Sequence, residues 1–386
     1  MPRSWKPRPG ALDIGLWTVG ILLFLSGPAL AFGPAAHIEF GLNALRYLAL
    51  LPAGIRTLLR HYPDQFLYGT CAADIIVGKN MAEYVNHCHN WDVGFRMLDH
   101  ADSGRVESLC WGFLCHLAAD VVAHNYFVPL KTITSYRAQT TRHIYWEMRF
   151  DQARHNGDGV WEALDFVGRS TFLDEDAFLR RELSRSSRLL PFEVSRRLFN
   201  SVMMVQRTER WRQTVSNMAD RSAWALAADE ISFVRSMALD STLSLLSHGR
   251  KAPVVQADPT GMEVLAEAKK LRGALKRRMR QGAIDDTLCT SGQKMVRVRL
   301  EERLTSQQGH LPAVVDLEAA CGDEMEAPAK KRRFRSKAKR LTSETGGHGP
   351  ARIVGADTDR GEKRRHKRRK TRFGKKRGGD SETSPK

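Results

Sequence analysis

The sequence predicts an all-α protein, and two observations carry that prediction. Apolar residues recur at intervals of three and four along most of the chain, a spacing that places them on one face of a helix. The sequence lacks runs of alternating apolar and polar residues joined by hairpin turns, which is the pattern typical of paired strands. The body of the chain is therefore expected to be a multi-helix bundle.

The N-terminal residues 1–31 have the composition of a secretory signal peptide. Three basic residues precede an apolar run over 14–25, and Ala29-Leu30-Ala31 provides a cleavage site of the small-x-small kind. Cleavage there leaves Phe32 as the first residue of a secreted or periplasmic protein. The alternative is a membrane anchor, because the uncleaved segment is nearly long enough to span a bilayer.

Helices are predicted in sequence after the signal. Pro34 suits the first turn of a helix that ends before Pro52, because proline lacks the N–H that interior helical positions need. A short helix over 53–61 is expected to stop at Pro63. Further helical patterns cover 92–101, 106–127, 138–153, 161–248 with a break at Pro191, and a last charged helix over 259–280.

The positive charge is concentrated at the C-terminus. From Pro328 onward, 22 Lys and Arg stand against 6 Asp and Glu, which accounts for +16 of the net charge of +18. Such a composition cannot bury enough apolar surface to fold alone. The predicted organisation is a signal peptide (1–31), a helical domain (32–250), a charged helix and linker (251–327), and a disordered basic tail (328–386).

Six cysteines, an even number in a chain expected to be exported, allow one or two disulfides. No CxxC or Cys/His finger spacing is present. We therefore interpret them as core residues or structural bridges rather than metal ligands.

A cluster of metal-ligand residue types lies in the first half of the chain. His116, Asp120 and His124 recur at four-residue intervals in an apolar run, so a helix places them on one inward-facing strip. A buried carboxylate needs a cation or several N–H donors to offset its desolvation. Imidazole and carboxylate are ligands that zinc favours.

Other segments repeat this chemistry. His143 and Glu147 share the four-residue spacing on the next predicted helix, and Asp74 lies between two alanines and two isoleucines, where it is expected to be buried. Nine of the 13 histidines fall between residues 37 and 155. The alternative interpretation is a set of hydrogen-bonded core histidines, but the joint pattern favours a metal cluster.

With these residues assembled, residues 32–153 resemble the zinc-dependent phospholipase C family, which is similar in fold to the S1/P1-type nucleases. The resemblance implies a helical bundle that holds three zinc ions. In that family the mature N-terminal residue, a Trp, chelates zinc through its α-amino nitrogen and carbonyl oxygen, and here Phe32 stands in its place. The resemblance implies these metal ligands: Phe32, His37, Asp74, His89, His116, Asp120 as a bridge, His124, His143 and Glu147.

Two points of this assignment differ from the family or stay open. His87 competes with His89 for one ligand position, and Trp91 two residues after His89 favours the latter. His124 follows Asp120 by four residues, whereas phospholipase C toxins and S1/P1 nucleases have six. The shorter spacing is similar to the N-terminal domain of glycosylphosphatidylinositol-specific phospholipase D.

The expected function is an exported zinc-dependent phosphodiester hydrolase that is phospholipase C-like and generates hydroxide at its zinc ions, with Asp74 as the candidate general base. Its expected substrate is a phospholipid or another phosphodiester. One alternative is an S1/P1-like nuclease. Another is a non-catalytic envelope-associated protein whose basic tail binds an anionic surface or nucleic acid. No protein partner is inferred.

Overall fold

The structure is a computed structural model that describes residues 32–77, 83–138, 143–153, 159–187, 189–224, 226–285, 287–306 and 310–322. Every regular element among those residues is helical, which confirms the all-α prediction. The described residues all belong to one compact unit of the chain. The signal peptide and the basic tail lie outside the described residues and stay predictions.

Helices of two to six turns form the body. The first seven are α1 (Pro34–Arg46), α2 (Ala53–His61), α3 (Pro63–Ala72), α4 (Trp91–Asp99), α5 (Gly104–Val122), α6 (Val128–Thr134) and α7 (His143–Gln152). The others are α8 (Val160–Arg169), α9 (Leu173–Glu182), α10 (Phe192–Gln206), α11 (Glu209–Asp220), α12 (Ala228–His248), α13 (Met262–Arg280), α14 (Thr290–Ser306) and α15 (314–322). A π turn, Ala123–Phe127, joins α5 to α6, and short 3-10 turns cover Leu48–Leu50, Ala73–Ile75, Tyr84–Asn86, Gly249–Lys251 and Pro253–Gln256.

Prolines set the boundaries of the first three helices. Pro34 occupies the first turn of α1, as predicted, and α2 has the predicted bounds. Pro63 stops α2 and also begins α3, a helix that the sequence analysis did not predict. Both effects have one cause, because proline cannot supply an interior N–H but is tolerated in a first turn.

Helix α5 is the centre of the bundle and crosses α3 at very short range. Gly69 and Gly112 meet at the crossing, where a Cβ on Gly112 would lie 2.9 Å from the Cα of Gly69 and would overlap the carbonyl oxygen of Phe66. The absence of side chains lets the two backbones approach. The crossing therefore brings the C-terminal end of α3 against the middle of α5.

Two apolar cores lie along the helix run that begins with α5. Leu109 and Leu117 belong to the first core, whereas Leu130 and Ile133, which follow the π turn, belong to the second. The run Gly104–Thr134 is long and apolar enough to cross a membrane, but 94% of its most apolar window is buried inside the protein. Burial between two cores accounts for this composition.

The chain after residue 281 adds two helices that the sequence analysis did not predict. Val296 and Leu300 of α14 and Leu317 of α15 are fully buried in the second core. A disulfide, Cys289–Cys321, joins these helices across 32 residues. The other four cysteines, Cys71, Cys88, Cys110 and Cys115, are buried. The division of the chain at residues 250 and 327 stays a prediction, but helices beyond residue 250 contribute to the body.

Candidate metal centre

Five predicted ligands converge at the centre of the bundle. His37 comes from α1, Asp74 from the turn after α3, His89 from the loop before α4, and His116 and Asp120 from α5. All five are buried. The segments that carry them meet there because the glycine crossing holds α3 against α5.

Four of these side chains bring one donor atom each into a compact cluster around the Nε2 atoms of His89 and His116. His89 Nε2 lies 3.1 Å from His116 Nε2, 3.1 Å from Asp120 Oδ2 and 3.4 Å from Asp74 Oδ1. His116 Nε2 lies 3.3 Å from Asp120 Oδ2 and 3.9 Å from Asp74 Oδ1. Zinc–ligand bonds of about 2.0–2.1 Å give a tetrahedral edge of about 3.3 Å. The donor set therefore matches a zinc ion in size and in chemistry.

The other oxygen of Asp120 faces a further ligand candidate. His37 Nε2 lies 3.3 Å from Asp120 Oδ1, and its ring stacks on that of His116 with the centroids 3.8 Å apart. Asp120 thus has one oxygen toward His89 and His116 and the other toward His37. A carboxylate placed in this way can bridge two ions.

A backbone carbonyl fixes the tautomer of His116. Its Nδ1 lies 2.9 Å from the carbonyl oxygen of Thr70, an acceptor, so Nδ1 carries the proton and Nε2 has the lone pair in the neutral ring. That lone pair faces Asp120, Asp74 and His89 Nε2. Electron-rich atoms this close repel each other unless a proton or a cation lies among them, and the histidine–carbonyl pair is typical of metal sites.

Conventional hydrogen bonds do not explain the centre. Neither nitrogen of His37 and neither carboxylate oxygen of Asp120 makes one within the part of the chain that the structure describes, despite their short distances to neighbours. Buried polar atoms are normally satisfied, so such atoms indicate an ion that they share.

The electrostatics agree with a ligand role. Burial lowers the pKa of His37 to about 4, with a further contribution from neighbouring His116, so the imidazole is neutral at pH 7. Burial alone would raise the pKa of Asp120, but His116, His37 and His89 hold it well below its ordinary value. Neutral imidazoles around an ionised carboxylate are the protonation states that bind zinc.

The structure distinguishes His89 from His87 by position. His89 Nε2 lies 3.1 Å from both Asp120 Oδ2 and His116 Nε2, whereas His87 Nδ1 accepts a hydrogen bond of 3.0 Å from the backbone N–H of His89. His87, Cys88 and His89 also form a compact buried group of ligand-type atoms. This position agrees with the preference for His89, whose role as a ligand stays a prediction.

His124 lies in the π turn, not on the α-helical strip that the sequence analysis predicted. In a π turn the hydrogen-bonded partners are five positions apart instead of four, so the angle that follows from four-residue α-helical spacing does not hold there. The ring is fully buried, and Nδ1 lies 2.6 Å from the carbonyl oxygen of Pro259. That contact selects the tautomer with the lone pair on Nε2.

Phe32 is anchored next to this region. Its fully buried ring contacts Phe150, Phe40 and Phe127 at centroid distances of 4.6, 5.4 and 6.2 Å, and lies 6.1 Å from the ring of His37. The aromatic contacts hold the residue that is expected to follow the signal peptide. Its α-amino role stays a prediction.

The remaining predicted ligands are on α7. Glu147 is buried, and the side chain of His143 lies outside the described residues. Asp151, also buried, accepts a hydrogen bond of 3.2 Å from the backbone N–H of Ala36, which joins α7 to the first turn of α1. Four aromatic residues close to the ligands in sequence are buried in the packed interior: Trp91, Tyr126, Phe127 and Trp146.

Sequence reasoning missed the groups that orient the histidines. The carbonyls of Thr70 and Pro259 have no side-chain signal, because every residue carries one. The sequence Asp258-Pro259-Thr260-Gly261 does contain a turn signal, since Asp and Gly favour turns. It could have located a tight loop but not its contact with His124.

The comparison with known families agrees with this geometry. Residues 36–181 match the family described as zinc dependent phospholipase C, which supports the family that the sequence resembles. The matched segment contains the five converging side chains and also His124. No curated protein and no solved structure matches the chain. The family match and the buried His/Asp groups together support a zinc hydrolase.

Proposed function

We propose that this protein is an exported phosphodiester hydrolase of the phospholipase C type with a trinuclear zinc centre. The observation that carries the proposal is the cluster of His89, His116, Asp120 and Asp74, whose shorter donor–donor distances of 3.1–3.4 Å fit zinc, together with the bridging orientation of Asp120 toward His37. The family match supports a phospholipid or related phosphodiester as the substrate class.

Each residue has a role in this proposal. Asp74, His89, His116 and Asp120 hold one ion, and Asp120 with His37 and the Phe32 backbone hold the second. His124, His143 and Glu147 hold the third, following the resemblance. Bound zinc ions supply Lewis acidity, which lowers the pKa of water and neutralises negative charge on a phosphodiester.

The chain itself also moves a proton and excludes water. We assign Asp74 the role of general base, which accepts the proton of an attacking water. The buried aromatic residues around Phe32 keep the centre dry, which strengthens each charge–charge interaction in it. No nucleophilic side chain is required for this reaction.

Export is supported by two features. Residues 1–31 have the composition of a signal peptide, and a disulfide between Cys289 and Cys321 is stable in an oxidising compartment. The four remaining cysteines are buried, which is compatible with such a compartment.

The test combines metal content with turnover. Protein produced with its signal is expected to contain close to three zinc ions per chain, to begin at Phe32, and to hydrolyse a short-chain phosphatidylcholine. Asp120→Asn is expected to lose zinc and activity. Glu175→Gln is a matched control, because Glu175 is a fully buried carboxylate that pairs with Arg105 outside the cluster.

Three outcomes would change the proposal. Absence of tightly bound zinc in folded protein refutes the hydrolase. Zinc-dependent cleavage of single-stranded DNA without phospholipid turnover changes the substrate class to nucleic acid. Full zinc binding by Asp120→Asn refutes the bridging role.

A further inference from the structure

A short segment that lies outside the family match along the sequence contacts residues around the candidate centre through three consecutive carbonyl groups. We call residues 257–261 the strap. The carbonyl of Ala257 accepts a hydrogen bond of 2.8 Å from Trp91 Nε1, that of Asp258 one of 2.8 Å from Asn125 Nδ2, and that of Pro259 one of 2.6 Å from His124 Nδ1. All three donors lie inside the family match, and the strap lies outside it.

The side chain of Asp258 fixes the shape of the strap. Its Oδ1 accepts from the backbone N–H of Thr260 at 3.0 Å and from the hydroxyl of Tyr84 at 3.2 Å. Its Oδ2 accepts from Thr260 Oγ1 at 2.5 Å and from the N–H of Met262 at 3.4 Å. An aspartate that bonds to the backbone two residues on stabilises a turn, so the carboxylate holds the strap carbonyls in one arrangement.

Gly261 lets the strap lie directly on His124. Its φ is +55°, and a Cβ at this position would come 2.5 Å from the carbonyl oxygen of His124 and 2.6 Å from its Cβ. A methyl group does not fit there. The backbone of His124 and its ring are thus both in contact with the strap.

We propose that the strap is the positioning element of the metal centre, which holds His124 and the segment that carries His89 in the geometry that binds zinc. This inference rests on the proposed function. The carbonyl of Pro259 accepts a hydrogen bond from Nδ1–H of His124, so the lone pair on Nε2 points away from the strap. Ala257 holds Trp91, two residues after His89, and Asp258 holds Tyr84 before it.

The strap therefore ties two ligand-bearing segments to each other. His89 is in the loop before α4, and His124 is in the π turn after α5. Residues more than 130 positions along the chain from His124 contact both segments, so the angle between them depends on the strap. Ligand-orienting partners of this kind change metal affinity by about 10–100-fold when they are lost.

A pair of glycine variants separates positioning from general stability. Gly261 and Gly159 both precede a helix in the left-handed conformation, with φ of +55° and +69°, but nothing lies within 4 Å of a Cβ at Gly159. Gly261→Ala and Gly159→Ala therefore cause similar backbone strain. Only Gly261→Ala displaces His124.

The experiment measures the dissociation constant of zinc for the full-length folded protein, by competition with a chromophoric chelator. The visible spectrum of the cobalt(II) form is recorded as a readout of ligand geometry. We expect Gly261→Ala to weaken the most affected zinc site by about 10–100-fold and to change the cobalt spectrum. Gly159→Ala is expected to retain the affinity and spectrum of the wild type.

A second variant tests the proposal if Gly261→Ala does not fold. Asp258→Ala removes the turn contacts without placing an atom against His124, and it is expected to weaken zinc binding in the same direction. Wild-type affinity and spectrum in Gly261→Ala, or in Asp258→Ala if Gly261→Ala does not fold, overturn the positioning role. A wild-type protein that binds no zinc refutes the proposed function instead, so the two failures are distinguishable.

Discussion

Replacing Gly112 by alanine tests whether the close crossing of α3 and α5 builds the metal centre. A Cβ there would lie 2.1 Å from the carbonyl oxygen of Phe66 and 2.9 Å from the Cα of Gly69, whereas non-bonded atoms pack at about 3.5–4.0 Å, so the helices must separate by about 1 Å or more. The hydrogen bond from His116 Nδ1 to the Thr70 carbonyl, 2.9 Å long, would stretch beyond the usual limit.

The magnitude follows from three opposing contributions. Overpacking costs about 1–3 kcal/mol, and a buried donor that loses its partner costs about 1–3 kcal/mol. Alanine stabilises a helix by about 1 kcal/mol relative to glycine, which offsets part of this loss of stability. We therefore expect Gly112→Ala to lower the free energy of unfolding of the metal-free protein by about 3 kcal/mol.

The assay is urea unfolding in the presence of a chelator, followed by a zinc titration of the folded protein. The control is Gly273→Ala in α13, where the nearest atom to a Cβ is Arg277 Nη1 at 3.7 Å. The control is expected to gain up to about 1 kcal/mol. Equal stability of the two variants, with equal zinc affinity, would refute the argument from the crossing.

Three further results are expected. Chelation lowers the melting temperature of the wild type, by the equivalent of about 2.7 kcal/mol when the free zinc concentration was 100 times the dissociation constant. Asp120→Asn retains only the site assigned to His124, His143 and Glu147, so chelation should lower its melting temperature by less than that of the wild type; an equal shift would contradict the role of Asp120. Cys289→Ser removes a cross-link over 32 residues and should lower the free energy of unfolding in urea by about 3–4 kcal/mol. A reductant should destabilise the wild type and leave the stability of the variant unchanged. A wild type whose stability does not respond to reductant would contradict the disulfide. Phe32→Ala should lower the free energy of unfolding in urea by about 3–5 kcal/mol because the ring is fully buried, whereas Phe32→Leu should lower it by less than about 1.5 kcal/mol. Equal losses of stability in the two variants would show that the aromatic contacts do not hold this residue.

Much of the candidate centre was predictable because its residue types are rare in apolar surroundings. Asp74 and Asp120 are conspicuous among alanine, isoleucine and valine, and the structure places both in the cluster with His116. The helices up to α2 were predictable from apolar spacing and proline. The bounds of these helices depend on residues that are close to them in the sequence.

Other parts depend on contacts between distant residues. Pro63 predicts the end of α2 but gives no signal for α3, which it begins. The highly charged exposed face of α14 hides its apolar positions, although Val296 and Leu300 are buried. The π turn replaced a predicted α-helical strip at His124. Such a turn depends on what packs around it, and the strap that contacts it is more than 130 residues away.

The π turn also limits how well the number of residues between two positions predicts the direction of their side chains around the helix. Before Ala123, each residue advances about 100° around the helix, so positions can be converted into faces. Across Ala123–Phe127 that conversion stops, and after Val128 it resumes with a different phase. Two homologous chains could therefore have a histidine four or six residues after the same aspartate and still aim it at the same point. Alignment of such chains by spacing would separate residues that are equivalent in space.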